Sequence, residues 1–320
     1  MIGLALAAAA ALAAPVRDYR AVSGLASESP GAPPVVVLRS LSRAGERALL
    51  AVDPRTLATR IVPAAAVRLE RKPWSDVRRA IAETPYGRAL RDAAANEAVL
   101  QGAGLRRVRP ARPGVDLTVD LCPSKRPLDR RVFTALVDGL GREERPAPVA
   151  VALTGAWMRD HPADLDWLRS LEASGDLSIT WVNHTFHHRA SPDQPLEENF
   201  LLAPGTNLRA EVLDTERAMI AAGLLPSVFF RFPGLVSKPA VFEKVEALGL
   251  VPLGSDAWLA KTREPTKDGA IVLVHANGNE PLGVRRFLEL LRSERERIRA
   301  GSWQLLDLRQ SVVETESAAP

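Results

Sequence analysis

The chain has 320 residues, 46% hydrophobic and 25% charged, with a formal net charge of +4. This excludes an intrinsically disordered chain, supplies a sizeable core, and allows one large barrel with an appendage or two modest domains. The basic excess is dispersed except at Arg106, Arg107, Arg109 and Arg112, where no aromatic residue is interleaved, so that cluster reads as solvated linker and no nucleic-acid partner is expected.

Residues 1–14 form an apolar, alanine-rich stretch too short to span a bilayer and closed by small residues before Pro15. They are expected to be a signal peptide cut after Ala13, which makes the protein periplasmic or secreted. No other run is apolar and long enough for a membrane span. The single cysteine, Cys122, excludes an internal disulfide framework. Residues 15–34, rich in Ser, Gly, Ala and Pro, read as a linker. Residues 35–112 read as a small α+β extension. In it, apolar runs at 48–52 and 58–62 flank the turn Asp53-Pro54-Arg55 as a hairpin, a helix starts from Ser75 and ends near Glu83, and a second helix covers 86–100 and stops at Gly102.

Residues 113–310 change texture. Strands are expected at 117–121, 149–153, 178–182, 228–232, 251–253 and 271–275, and helices at 130–141, 164–174, 207–222, 240–248 and 284–300. Such alternation predicts an α/β fold with a parallel sheet, open or closed into a barrel. Residues 311–320 read as a tail. Asp120, His184, Arg231, Asp256 and His275 all fall at or just beyond the carboxyl end of an expected strand, the edge where parallel α/β folds bind ligands.

Five histidines occur in the chain, and three lie in Asn183-His184-Thr185-Phe186-His187-His188. His184 and His188 share a face if the segment is helical, and two neutral imidazoles so placed can hold a divalent metal such as zinc. His187 falls on another face and reads as a surface residue, and His161, beside Pro162, as a loop residue. His275 follows four apolar residues, and the Ala276-Asn277-Gly278-Asn279 loop after it favours a site over a core position. Trp258 suits a core or a ligand wall equally.

The ordered motifs are Thr118-Val119-Asp120-Leu121-Cys122-Pro123-Ser124, Asn183-His184-Thr185-Phe186-His187-His188, Arg231-Phe232-Pro233-Gly234, Ser255-Asp256-Ala257-Trp258 and Ile271-Val272-Leu273-Val274-His275. Together, over residues 115–308, they resemble the NodB-homology polysaccharide deacetylases, carbohydrate esterase family four. The resemblance implies a deformed (β/α) barrel of NodB type behind the small N-terminal extension. It implies hydrolytic removal of N-acetyl groups from an amino-sugar polymer, with a divalent metal, zinc foremost, as cofactor and a carbohydrate polymer as partner. By the same resemblance Asp120 is the base that activates water, His184 and His188 bind the metal, and Arg231 orients Asp120. His275 is the general acid, Trp258 walls the acetyl group, and Asp256 tunes a nearby histidine or arginine. The chemistry is coherent in itself, since amide hydrolysis needs an activated water, a stabilised oxyanion and a proton for the leaving amine. Backbone N–H groups near Gly234 and Leu235, at a Pro-Gly turn, are expected to contribute to an oxyanion hole.

One departure bears on the metal. Leu121 stands where the family has its ligating aspartate. Three arrangements remain, in order of expectation: Asp120 as the third ligand, a site without a tightly held metal, or Cys122 as the third ligand. Two other functions also remain, a non-catalytic carbohydrate-binding relative and a metal-independent hydrolase of small amides.

Overall fold

Strand pairing begins earlier than the composition suggests. The structure, a computed structural model, describes residues 15–139 and 145–315, so the expected signal peptide lies outside the described residues. The first sheet is antiparallel, made of β1 (Arg17–Ser27), β2 (Val35–Arg43), β3 (Glu46–Val52), β4 (Thr59–Pro63) and β5 (Arg68–Arg71) in the order β4-β3-β2-β1-β5. β1 corrects the linker expected over 15–34. Its Leu25 lies opposite both Val36 and Glu70, so the run is hydrogen-bonded on two sides, and those ladders compensate for its weakly apolar side chains. The expected hairpin is β3–β4, with Val52 opposite Thr59. Two helices come next, α1 (Trp74–Ala80) and α2 (Pro85–Ala94). The Thr84 hydroxyl caps α2 by accepting from the Gly87 amide at 3.2 Å. α2 ends short of the expected 100, where Asn96 donates to the Gly104 carbonyl at 3.2 Å.

The second sheet is parallel. Its strands are β6 (Gly114–Leu121), β7 (Ala147–Leu153), β8 (Leu177–Asn183), β9 (Phe229–Arg231), β10 (Val251–Leu253), β11 (Ala257–Trp258) and β12 (Ile271–His275), in the order β10-β9-β8-β7-β6-β12-β11, and the short β13 (Gln304–Leu305) also pairs with β6. The connecting helices are α3 (Arg131–Gly139), α4 (Gly155–Asp160), α5 (Pro162–Ala173), α6 (Leu208–Ala221), α7 (Pro239–Glu246), α8 (Pro281–Ser293) and α9 (Arg295–Arg299), and α10 (Leu308–Glu314) ends the described chain. The expected α/β architecture, a deformed (β/α) barrel with a small α+β extension, is what the chain forms.

The barrel is left open between β10 and β11, and residues 105–108 bridge the gap. The Leu105 amide donates to the Pro252 carbonyl at 2.8 Å, the Gly254 amide to Leu105 at 2.8 Å, the Ile271 amide to Arg106 at 3.1 Å, and the Val108 amide to Gly269 at 2.9 Å. The arginine cluster is thus anchored to the barrel rather than free linker, and Arg107 forms an ion pair with Asp256.

β6 is buried on both faces, as parallel strands under a helix layer are. Leu117, Val119 and Leu121 pack outward with Val132, Phe133 and Leu136 of α3 and Val284 and Phe287 of α8. Asp116, Thr118 and Asp120 point the other way, into the barrel, because strand side chains alternate. The described part of the expected tail, residues 311–315, contributes to this interior. Ser311 of α10 donates to Asp116 at 3.0 Å, and Val312 joins Leu308 of the same helix in the core.

The extension is not a separate module. Val36, Leu38, Val77, Tyr86 and Leu90 share a core with Phe230, Phe232, Phe242 and Leu253 of the barrel. At the seam, Arg39 is 1% exposed and grips Glu216 of α6 through two bonds of 2.6 and 2.7 Å. It also donates to the Leu248 carbonyl at 2.7 Å, while the Tyr19 hydroxyl donates to Glu216 at 2.9 Å and Tyr86 to the Gly249 carbonyl. Burial works against charge on Arg39, and Glu216 outweighs it, so the guanidinium stays charged. Among the described residues no helix is long and apolar enough to cross a membrane.

The seam and the barrel interior are each testable by unfolding. Arg39→Met leaves Glu216 buried without its counter-ion and is expected to cost about 3–5 kcal/mol in urea unfolding, while Arg39→Met/Glu216→Leu regains most of it. A double variant no more stable than the single one contradicts this account of the seam. In the interior, the Asp116 carboxyl is pushed up to about 8 by burial, against the hydrogen bond from Ser311. The native chain then keeps a proton that the unfolded chain releases above about pH 4. Asp116 therefore makes stability fall as pH rises from about 4 to about 8, by at most about 1.4 kcal/mol per pH unit. Asp116→Asn removes that slope, so its melting temperature is expected to gain on wild type between pH 5 and pH 8. Parallel pH profiles for the two proteins refute it.

Candidate functional site

The carboxyl edge of the parallel sheet gathers the polar residues. Register places Asp120 beside His275 on β12 and beside Ala152 on β7. The alternation that sends Leu121 outward brings Cys122, 7% exposed, back to the barrel side. There Cys122, His184 and His188 each present one ligand atom, all within 4.8 Å of one another. Cys122 Sγ lies 3.5 Å from His184 Nε2, and Asp120 Oδ2 lies 3.6 Å from the same nitrogen. Cys122, named last among the possible third ligands, is grouped with the histidines, on the same inner side of the strand as Asp120.

The histidine pair is not on a helix. Residues 184–188 leave β8 as a loop, with Thr185 at φ 70° and His188 at φ 48°. A β-branched residue adopts the left-handed region only when its surroundings impose it, and such strain concentrates at functional sites. The surroundings are specific. Asn183 Oδ1 accepts from the Thr185 amide at 3.0 Å, and its Nδ2 donates to the Val212 carbonyl at 2.9 Å. Glu211 Oε2 accepts from the Phe186 and His187 amides at 2.9 and 2.8 Å, and its other oxygen meets His187 Nδ1 at 2.7 Å. From α4 the Gly155 and Ala156 amides donate to the carbonyls of Thr185 and Phe186 at 3.1 and 2.8 Å, and a Cβ on Gly155 would overlap the Phe186 ring. The His184 and His188 rings meet with centroids 4.8 Å apart. His187 is turned to the surface. Glu211 was not anticipated. Its only sequence signal is an acidic residue in the first turn of a helix capped by Asn207.

The chain also sets the tautomer of His184. Its Nδ1 lies 2.8 Å from the Arg231 carbonyl, an acceptor only, so Nδ1 carries the proton and the Nε2 lone pair faces Cys122 and Asp120. Burial lowers the pKa of His184 and keeps the ring neutral, the form that binds metals. His188 Nε2 is buried without a hydrogen-bond partner, and Phe200 packs edge-on against that ring at 5.5 Å. A thiolate and two imidazoles so close together suit a divalent transition-metal ion.

Arg231 is fully buried and donates to Thr118 Oγ1 at 2.7 Å, while its Nε lies 3.9 Å from Asp120 Oδ1. Arg231 Nε and Nη1 and Asp120 Oδ1 make no hydrogen bond. Buried polar groups are rarely left so. Burial pulls the pKa of Arg231 down, against the attraction of Asp120.

His275 has partners the motifs did not foretell. Its Nδ1 lies 2.8 Å from Glu280 Oε2, out of line for a hydrogen bond, so the contact is chiefly ionic. The same oxygen accepts from Trp258 Nε1 at 2.8 Å, the Trp258 ring lies 5.5 Å from that of His275, and Lys261 Nζ sits 3.5 Å over the indole. Burial opposes charge on His275, but Cys122 and Glu280 outweigh it and raise its pKa well above the usual value. Conversely, burial pushes the Cys122 thiol up, and His188 and His275 beside it bring it down to about 7.

Three expected site residues, Asp256, Gly234 and Leu235, do not join the cluster. Asp256 pairs with Arg107, and its amide donates to Ile271 at 3.1 Å at the start of β12, four positions before His275. Glu280, in the loop after β12, holds the histidine instead. The Leu235 amide is spent on the Phe232 carbonyl at 2.9 Å and is not free for an oxyanion. Gly234, at φ 61°, packs against Phe200, whose ring a Cβ there would overlap, and its carbonyl accepts from Gln101.

No family model matches the chain. Among solved structures it is similar to PdaA of Bacillus subtilis, a family 4 carbohydrate esterase, at 15% identity over 69% of this chain and 95% of that one, with a TM-score of 0.48. It is similar to the chitin deacetylase of the fungal pathogen Colletotrichum lindemuthianum at 16% identity, over 69% of this chain and 95% of that one, with a TM-score of 0.44. A CE4 family pseudoenzyme from Bacillus anthracis is similar at 14% identity, over 67% of this chain and 70% of that one, with a TM-score of 0.45.

Proposed function

We propose that the protein is a hydrolase of non-peptide C–N bonds that removes N-acetyl groups from an amino-sugar polysaccharide in the periplasm or outside the cell, assisted by zinc. The observation that supports this most is the meeting of a buried carboxylate (Asp120), a cluster able to hold a metal (Cys122, His184 and His188) and a third histidine (His275) at one edge of the sheet. The substrate class rests on the ordered motifs at residues 118–124, 183–188, 231–234, 255–258 and 271–275.

In this reading Asp120 takes the proton of the attacking water. Arg231, 3.9 Å away and buried, holds that carboxylate in place. His184 and His188 would hold a divalent cation, which would supply water activation and polarisation of the acetyl carbonyl. His275 protonates the departing amine, and Glu280 orients it from 2.8 Å. Trp258, fixed by its bond to Glu280, walls the pocket beside His275.

Acetate release from N-acetylated chito-oligosaccharides tests the reading. Asp120→Asn and His275→Ala are each expected to lower the rate by about 10²–10⁴-fold, the range of general acid–base contributions. A chelator is expected to abolish the activity and zinc to restore it. Activity that survives chelation means a metal-independent amide hydrolase. Glycan binding without acetate release, undiminished in Asp120→Asn, means a non-catalytic carbohydrate-binding protein.

A further inference from the structure

Metal-assisted hydrolysis assigns two imidazoles to the cation and leaves a third protein position open. Resting on that reading, we infer that Cys122 is the third metal ligand, making a two-nitrogen, one-sulfur centre for a borderline-soft divalent cation such as zinc or cobalt, in place of a nitrogen–carboxylate centre.

Parity of β6 comes first. Position 121 faces the helix layer and is fully buried among apolar side chains, so no ligand there can reach the barrel without a register slip. Position 122 is the next to return to the inner side. Proximity comes second, with Cys122 Sγ 3.5 Å from His184 Nε2 and within 4.8 Å of the His188 ligand atom. Third, the donors are already oriented. The Arg231 carbonyl holds the Nδ1 side of His184, leaving Nε2 free. The fully buried Asn277 donates to the Cys122 carbonyl at 3.0 Å and fixes the main chain that carries the thiol. Fourth, His188 Nε2 and Asp120 Oδ1 are buried beside these groups with no hydrogen-bond partner, and Asp120 is only 2% exposed.

The ligand set has consequences. Three protein ligands leave one coordination position open, the pattern of a catalytic rather than a structural site. A thiolate selects against magnesium and calcium, which prefer oxygen donors. It also releases Asp120 from ligation, leaving that carboxylate free to act as a base. Binding converts the Cys122 thiol to a metal-bound thiolate and releases one proton to solvent.

Cobalt substitution of the purified protein is the test. One equivalent of Co²⁺ is expected to produce an intense thiolate-to-cobalt charge-transfer band in the near-ultraviolet. Cys122→Asp, which keeps a ligand of similar size, is expected to bind cobalt without that band. Cys122→Ser is expected to bind zinc more weakly than wild type, by more than the roughly 10–100-fold that loss of an outer-shell partner costs. In wild type, zinc is expected to shield the thiol from a disulfide reagent, and magnesium to leave it reactive. Cobalt bound without the band, or a thiol equally reactive with and without zinc, overturns Cys122 ligation while leaving the metal-assisted reading intact. Wild type that takes up neither metal overturns both.

Discussion

The two-residue alternation of β6 is the constraint on which the rest of the molecule depends. This strand is buried on both faces, so each side chain has only two destinations, the helix layer or the barrel. Leu117, Val119 and Leu121 commit it to one register by filling the space beneath α3 and α8. Asp116, Thr118, Asp120 and Cys122 must then stand in a row inside. A slip of one residue would bury carboxylates among phenylalanines and expose leucines to the polar interior, which makes the register strongly specified. The inner row is graded along its length. Asp116 closes against Ser311 of α10, Thr118 bridges Arg231 and the Val272 carbonyl, and Asp120 and Cys122 reach the open edge.

The site is assembled by connections that satisfy their own backbone. The 184–188 loop spends its amides and carbonyls on Asn183, Glu211, Gly155 and Ala156, which lets two non-glycine residues sit in left-handed conformations. That cost is met by many short bonds from three elements, so the two imidazoles are held before any ligand arrives. Glu280 and Trp258 do the same for His275 from the opposite side. The centre is thus positioned from both sides of the sheet edge, while Arg231 and Asp120 retain unspent polar atoms.

The extension belongs to the same folding unit. Its sheet meets the barrel through Arg39–Glu216 and through a shared apolar core, and the segment after it bridges the open side of the sheet. Each bond along residues 105–108 satisfies a rim group that a closed barrel would have paired by its own strands. The arginines there are tied to that bridge, Arg106 to the Ser255 carbonyl and Arg107 to Asp256.

By itself the sequence determined the local periodicities. Alternating short apolar runs and amphipathic stretches locate the parallel strands and their helices, and the fall of Asp120, His184, Arg231 and His275 at strand ends marks the working edge. These features depend on properties within a few residues of each position. Which residues meet was decided by the tertiary structure, because it depends on parity, on neighbours in the sheet and on distant partners. Residues 15–34 lack strand composition yet form β1 because two strands pair with it. Glu211 and Glu280 look like surface acids until α6 and the loop after β12 carry them to the histidines. Asp256 lies in a motif of the right order but is held by Arg107, a residue outside every motif. Adjacency in sequence suggested that the leucine at 121 had cost the centre a ligand. The pleat of a buried strand sends that leucine to the core and turns Cys122 toward the histidines.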